Sequence, residues 1–171
     1  MNAIDLAELN AAGDARFVAL LAHIFEDSPW IPRAVVAQRP FASVEALHRA
    51  MCAAVDAAPR SAQIALISAH PDLVGAAARD GRLGDASRAE QASAGLDRLD
   101  DSEIATFTSL NAAYRERFGF PFVICVREHR KAAILAGLRA RTRNDRDVEI
   151  ATALAEIAKI ARLRLHDAVR G

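Results

Sequence analysis

The chain has 171 residues, 52 % of them hydrophobic and 26 % charged, with 22 Lys plus Arg balanced by 22 Asp plus Glu. This is a globular composition, long enough to bury a substantial core in one domain and too apolar for a disordered chain. Zero net charge lacks the basic excess of a duplex-binding protein, although basic residues are denser from Arg127 to Arg146, and nucleic acid is set aside as a partner.

The first residues, MNAIDLAELNAAGD, lack the basic and apolar regions of a signal peptide. Phe17, Leu20, Leu21, Ile24 and Phe25 recur at spacings of three and four and predict one buried helix face. SPWIPRAVVAQRPF holds three prolines and cannot be one long helix, so it is read as a turn, a short helix and another turn. Val44, Leu47, Met51 and Val55 repeat helically, with Ser43 as the N-cap. Ile64, Leu66 and Ile67 end a further helix that stops near His70-Pro71, because the residue before proline disfavours helical backbone. From Pro71 to Asp85 there are three glycines and no periodicity, which predicts a loop.

Ser87 is then expected to open a helix, and a longer one starts near Asp101-Ser102 and carries Ile104, Phe107, Leu110, Asn111 and Tyr114. Gly119 and Pro121 break the chain, and FVICV at 122–126 is the only strand-like run, either a short extended piece or a buried irregular one. Lys131 to Arg141 reads as helix, and a long amphipathic helix runs from about Asp145 to Val169 with Ile150, Leu154, Ile157, Ile160, Ala161 and Leu165 as its apolar stripe. The expected fold is all-α: one multi-helix bundle domain, residues 1–171, with a long C-terminal helix.

No window approaches the roughly 20 apolar residues of a membrane span. Cys52 and Cys125 are too few for a disulfide framework and belong to no CxxC pair, so a reducing, cytoplasmic compartment is expected. No pair of ligands at metal-binding spacing and no phosphate-cradling glycine loop is present, and no metal or organic cofactor is expected. Cys125 lies in an apolar run and reads as a small buried hydrophobe.

Three places carry possible chemistry. His70 stands where a helix gives way to a loop, and Pro71 stiffens its exit; histidine suits proton transfer near neutral pH, and equally suits a helix C-terminus. Ser87-x-x-Glu90 matches a capping box, and a first-turn position would also set Glu90 and Gln91 beside unpaired N–H groups. On the last helix Arg164 follows Ile157 by seven and Ile160 by four, so it falls on the apolar stripe, whereas Arg162 does not. A guanidinium facing a core needs a partner, and an anionic substrate would serve.

In order along the chain, SPW at 28–30, RPF at 39–41, HPDLVG at 70–75, SRAEQASAGL at 87–96, LNAAYRERFGFPFVICV at 110–126, RTRNDRDVEI at 141–150 and EIAKIARLRL at 156–165 resemble the 2-oxo-4-hydroxy-4-carboxy-5-ureidoimidazoline (OHCU) decarboxylases. The resemblance covers about Ala15 to Asp167. It implies an all-α fold and a cofactor-independent carbon–carbon lyase that converts OHCU to (S)-allantoin in urate breakdown. It places the catalytic residues at His70 and Glu90 and substrate contacts at Pro71, Ser87, Gln91, Arg164 and the Phe122, Val123 and Ile124 segment. It further implies a homodimer. HPD is also the signature of J-domain co-chaperones, but there the preceding helix is strongly basic; APRSAQIALISA has one arginine and no lysine.

Overall fold

The computed structural model describes residues 3–75 and 84–171. The part of the expected loop at 76–83 lies outside the described residues. The described residues form nine α-helices, labelled α1 (Leu6–Ala11), α2 (Asp14–Leu21), α3 (Trp30–Val35), α4 (Val44–Asp56), α5 (Arg60–Ala69), α6 (Asp85–Ser93), α7 (Asp101–Phe118), α8 (Lys131–Arg141) and α9 (Arg146–Ala168). Short 3-10 turns lie at Val36–Gln38 and Val126–Glu128. The all-α expectation holds, with one small addition: Ile4–Asp5 (β1) pairs in parallel with Val169–Arg170 (β2), in the register Ile4 to Val169 and Asp5 to Arg170. Two-residue strands carry no sequence period, which is why the pattern did not predict them. No helix among the described residues is long and apolar enough to cross a membrane.

The chain divides into two compact units, one of residues 1–69 with 158–171 and one of residues 70–157. In the first unit α3 packs on both α2 and α4. Phe17, Leu21, Ile31, Val35, Leu47, Met51, Ile67 and Leu165 are buried there. Ser43 caps α4 as expected, its hydroxyl accepting from the Ala46 N–H at 3.1 Å, a bond worth about 1 kcal/mol to such a helix. Pro32 sits in the first turn of α3, where its missing N–H has no helical partner to lose.

The first predicted helix is shorter than its apolar spacing suggested. α2 ends at Leu21, and Ile24 and Phe25 are buried from turns instead. The Ile24 N–H bonds back to the Leu21 carbonyl at 3.1 Å, Ser28 does the same to Phe25 at 3.0 Å, and Asp27 adopts φ 40°. Aspartate tolerates that left-handed region better than most residues, so the chain turns before Pro29 rather than continuing helically.

In the second unit α7 begins with a complete capping box: Asp100 accepts from the Glu103 N–H at 2.8 Å, and Glu103 accepts from the Asp100 N–H at 3.2 Å. It ends at Gly119, whose φ of 80° is the left-handed closing conformation that glycine enters without a Cβ clash. Phe107, Asn111, Tyr114 and Phe118 form its buried face at helical spacing. After Gly119 the chain runs as an irregular, fully buried segment from Phe120 to Val126, so the irregular alternative for FVICV is the one adopted.

Such a segment has no ladder to satisfy its backbone, and side chains satisfy it instead. Arg141 Nη1 donates to the Val123 carbonyl at 2.8 Å, and the Glu156 carboxylate accepts from the Cys125 N–H at 2.8 Å. Arg141 also stacks over the Phe122 ring, 4.5 Å from its centroid. Its Nη2 and Nε reach Glu149 Oε1 at 2.6 and 2.9 Å, Asn144 donates to Glu149 Oε2 at 2.7 Å, and the Tyr114 hydroxyl donates to Glu149 Oε1. Glu149 is wholly buried. Its carboxylate therefore ties α7, α8 and α9 together and, through Arg141, holds the 120–126 segment.

Burial and the adjacent Glu149 push the Tyr114 hydroxyl well above the ordinary tyrosine range. A raised folded-state value means that this stabilisation is full below the unfolded value of about 10 and is lost as pH rises past it, because only the unfolded chain then ionises. Tyr114→Phe is expected to flatten the fall in stability above about pH 10; parallel urea titrations across that range measure it.

Candidate active site

Three of the expected site regions meet in the second unit. His70 lies immediately after α5 and is 6 % exposed, and Pro71 beside it is half-buried. The chain then turns through Asp72, Leu73, Val74 and Gly75. The Val74 N–H donates to Gln91 Oε1 at 3.2 Å, which joins the HPDLVG loop to α6. α6 in turn packs against the 3-10 turn Val126–Glu128 that ends the buried segment. Phe122, Val123 and Ile124 lead into that turn and are buried. Glu90 is close enough to Cys125 for its charge to be felt there, along with Glu128 and Glu156, although desolvation is the larger cause of the thiol's rise to about 11. Cys125 is thus the buried, neutral thiol expected from its apolar neighbours, not a nucleophile.

The start of α6 differs from expectation. The helix opens at Asp85, with Gly84 as its N-cap and the Arg88 N–H bonding to the Gly84 carbonyl at 2.9 Å. Ser87 is therefore the third helical residue, not the cap, and Glu90 lies in the second turn. The capping box is absent because an N-cap must have extended backbone, which Gly84 supplies with ψ 152°. Neither side chain serves as a cap: Ser87 is buried in the first turn and Glu90 is half-buried on the second. Gln91 is 7 % exposed, and with its Oε1 engaged by Val74 it has its Nε2 donor end to offer.

Arg164 belongs to the other unit. Helical phase located it correctly on the buried side of α9, where it is 5 % exposed, while Arg162 is solvent-facing and paired with Glu45. Protein groups already meet its charge: Nη1 lies 2.6 Å from Glu26 Oε2, with the His23 carbonyl more distant at 3.4 Å. Burial together with the Arg164 charge lowers the His23 pKa. Glu26→Ala strips the carboxylate from a buried cation and is expected to cost about 3 kcal/mol, in the range for breaking such a pair. A denaturant midpoint shifted by less than a surface substitution would refute that expectation.

Sequence reasoning passed over Glu149 and Glu156. Both lie on the same face of α9 as Ile157, at intervals that continue to Arg164, and both are buried. The phase argument applied to Arg164 would have found them. Asn111 is placed by the sequence only along the helix that starts near Asp101, yet it donates from Nδ2 to the Leu73 carbonyl at 2.7 Å.

A model of the OHCU decarboxylase family matches residues 10–166. The chain belongs to the OHCU decarboxylase family. It is 44 % identical over 165 residues to the 2-oxo-4-hydroxy-4-carboxy-5-ureidoimidazoline decarboxylase of Haloferax volcanii, covering 96 % of each chain. It is 40 % identical over 164 residues to that of Mus musculus, covering 96 % of this chain and 92 % of the mouse protein. Among solved structures an (S)-allantoin synthase aligns with a TM-score of 0.78 at 29 % identity, over 97 % of this chain; this chain spans 54 % of that longer one. An OHCU decarboxylase solved in the presence of (S)-allantoin shares the fold, with a TM-score of 0.69 at 23 % identity over 90 % of this chain and 96 % of the other. The motifs that suggested OHCU decarboxylases thus lie in a chain whose family and fold agree with them.

Proposed function

We propose that this chain decarboxylates OHCU to (S)-allantoin, with His70 and Glu90 as the catalytic pair. The observation that carries the reading is the junction of three separate sequence segments: the HPDLVG loop is hydrogen-bonded to α6, and α6 packs against the end of the buried FVIC segment. Family membership supplies the reaction. Loss of CO2 leaves an electron pair on the former carboxyl-bearing carbon, and the neighbouring ring unsaturation takes it up. A proton must then reach carbon from one face to give a single enantiomer.

His70 moves a proton at the 4-hydroxyl or the oxyanion that develops from it. Glu90 accepts ring or ureido N–H groups, and its charge disfavours the ground-state carboxylate. Gln91 and Ser87 hold polar substituents, and Pro71 and the Phe122, Val123 and Ile124 backbone shape the remaining wall. The family match runs through both compact units, which supports one functional domain. A cytoplasmic homodimer using a small-molecule substrate, with no cofactor, completes the reading; sedimentation equilibrium at micromolar concentration tests the dimer.

The decisive assay adds freshly generated OHCU to purified protein and follows optical rotation, with spontaneous decay subtracted. Rapid formation of (S)-allantoin is expected. Product appearing only at the spontaneous rate, without optical activity, would refute the function.

A further inference from the structure

We infer that Asn111 is a positioning residue for the candidate catalytic histidine, its side-chain amide holding the turn that fixes where His70 leaves the chain. The inference rests on the reading of His70 given above. Val74 adopts φ 55°. A β-branched side chain in the left-handed region is a real conformational outlier, and such a residue persists only where its surroundings over-determine it. The turn is also tight at its end: a Cβ on Gly75 would lie 2.8 Å from Asp72 Cβ and 3.2 Å from the Asp72 carbonyl oxygen.

Three side chains pin this turn, one residue each. Arg115 Nε lies 3.0 Å from both carboxylate oxygens of Asp72, Asn111 Nδ2 donates to the Leu73 carbonyl at 2.7 Å, and Gln91 Oε1 accepts from the Val74 N–H at 3.2 Å. The Arg115–Asp72 pair is partly exposed, with side-chain exposures of 44 % and 25 %, and such pairs contribute little. Asn111 is 6 % exposed, and its bond is the shortest of the three. Its geometry also fixes the amide orientation, because only the NH2 end can donate to a carbonyl.

The other end of that amide is the informative part. Asn111 Oδ1 is the one buried side-chain polar atom without a hydrogen-bond partner among the described residues. Burying an unmet acceptor is unfavourable, and an apolar side chain such as leucine, branched at the same carbon, would avoid it. What the asparagine contributes is therefore the donor to Leu73, at a point three residues beyond His70. Asn111 and Arg115 stand one helical turn apart on α7, so a single rigid helix presents two of the three pins.

The test replaces Asn111 by leucine, with alanine as a smaller second variant, and measures kcat, KM and the imidazole NMR signals of His70. A catalytic group displaced by about 1 Å loses on the order of 10²-fold in rate. The expected result for Asn111→Leu is a kcat lowered by about that factor, with KM changed less than about threefold, and His70 ring signals that broaden or double. Unchanged kcat with one sharp set of His70 signals would overturn the inference, as would an activity loss that only tracks the folded fraction. If neither variant folds, Val74 in the wild-type protein decides: Cα and Cβ shifts of left-handed backbone support the pinned turn, and those of an extended valine overturn it. His70→Ala is measured in parallel. Full activity in that variant refutes the catalytic reading itself, whereas an inactive His70→Ala beside a fully active Asn111→Leu refutes only the positioning role.

Discussion

His70→Ala is expected to lower kcat/KM for OHCU by about 10³-fold, within the usual span for loss of a general acid–base group. That factor corresponds to about 4 kcal/mol of transition-state stabilisation. The residual product should be racemic, because the enzyme's facial control of the carbon-bound proton depends on an ordered proton path. Glu90→Gln separates charge from hydrogen bonding. The amide keeps an acceptor for ring or ureido N–H groups and loses the negative charge; a KM near wild type with kcat reduced about 10²-fold is expected. Polarimetry of the product and stopped-flow absorbance together give both numbers. A His70→Ala enzyme with wild-type kcat/KM and optically pure product would remove histidine from the mechanism.

The second large effect is on stability. Glu149→Leu leaves Arg141 and the Tyr114 hydroxyl facing a buried position that has lost its carboxylate. Removing one partner of a buried pair costs about 3–5 kcal/mol, which for a chain of this size lowers Tm by roughly 10 °C. Arg141→Met should cost as much, since among the described residues Glu149 then keeps the Tyr114 and Asn144 side chains as partners, and it also frees the Val123 carbonyl. The double variant is expected to lose clearly less than the sum of the singles, because neither charge is left alone. Strict additivity in a calorimetric double-mutant cycle would show that the carboxylate and guanidinium do not act as a pair.

Much of this was legible from local pattern. The bounds of α8 matched the periodic segment from Lys131 to Arg141, Ser43 capped α4, and phase alone buried Arg164. These features depend on residues a turn or two apart, which is the range that helical spacing reports. What the pattern missed depends on distant partners. The apolar run through Phe25 looked helical because buried turns also use apolar residues, and the turn signal lay further on, at Asp27 and Pro29. Ser87 and Glu90 fit a capping spacing, but the glycine before them took the cap. Glu26 as the partner of Arg164, Glu156 as the acceptor for Cys125 and Asn111 as the donor to Leu73 are all long-range pairings. Period marks which side of a helix is buried and is silent about what waits there.

The buried segment after Gly119 has a consequence for how this chain tolerates change. Its carbonyl at Val123 and its N–H at Cys125 are gripped by side chains from α8 and α9 rather than by a neighbouring strand. Main-chain groups are indifferent to residue type, so exchanges among apolar residues of similar size should pass at Val123 and Ile124. Insertion or deletion of one residue between Gly119 and Val123 would shift both gripped groups out of register at once. In a library of point changes and single-residue indels, this stretch should therefore accept new letters and reject any new length.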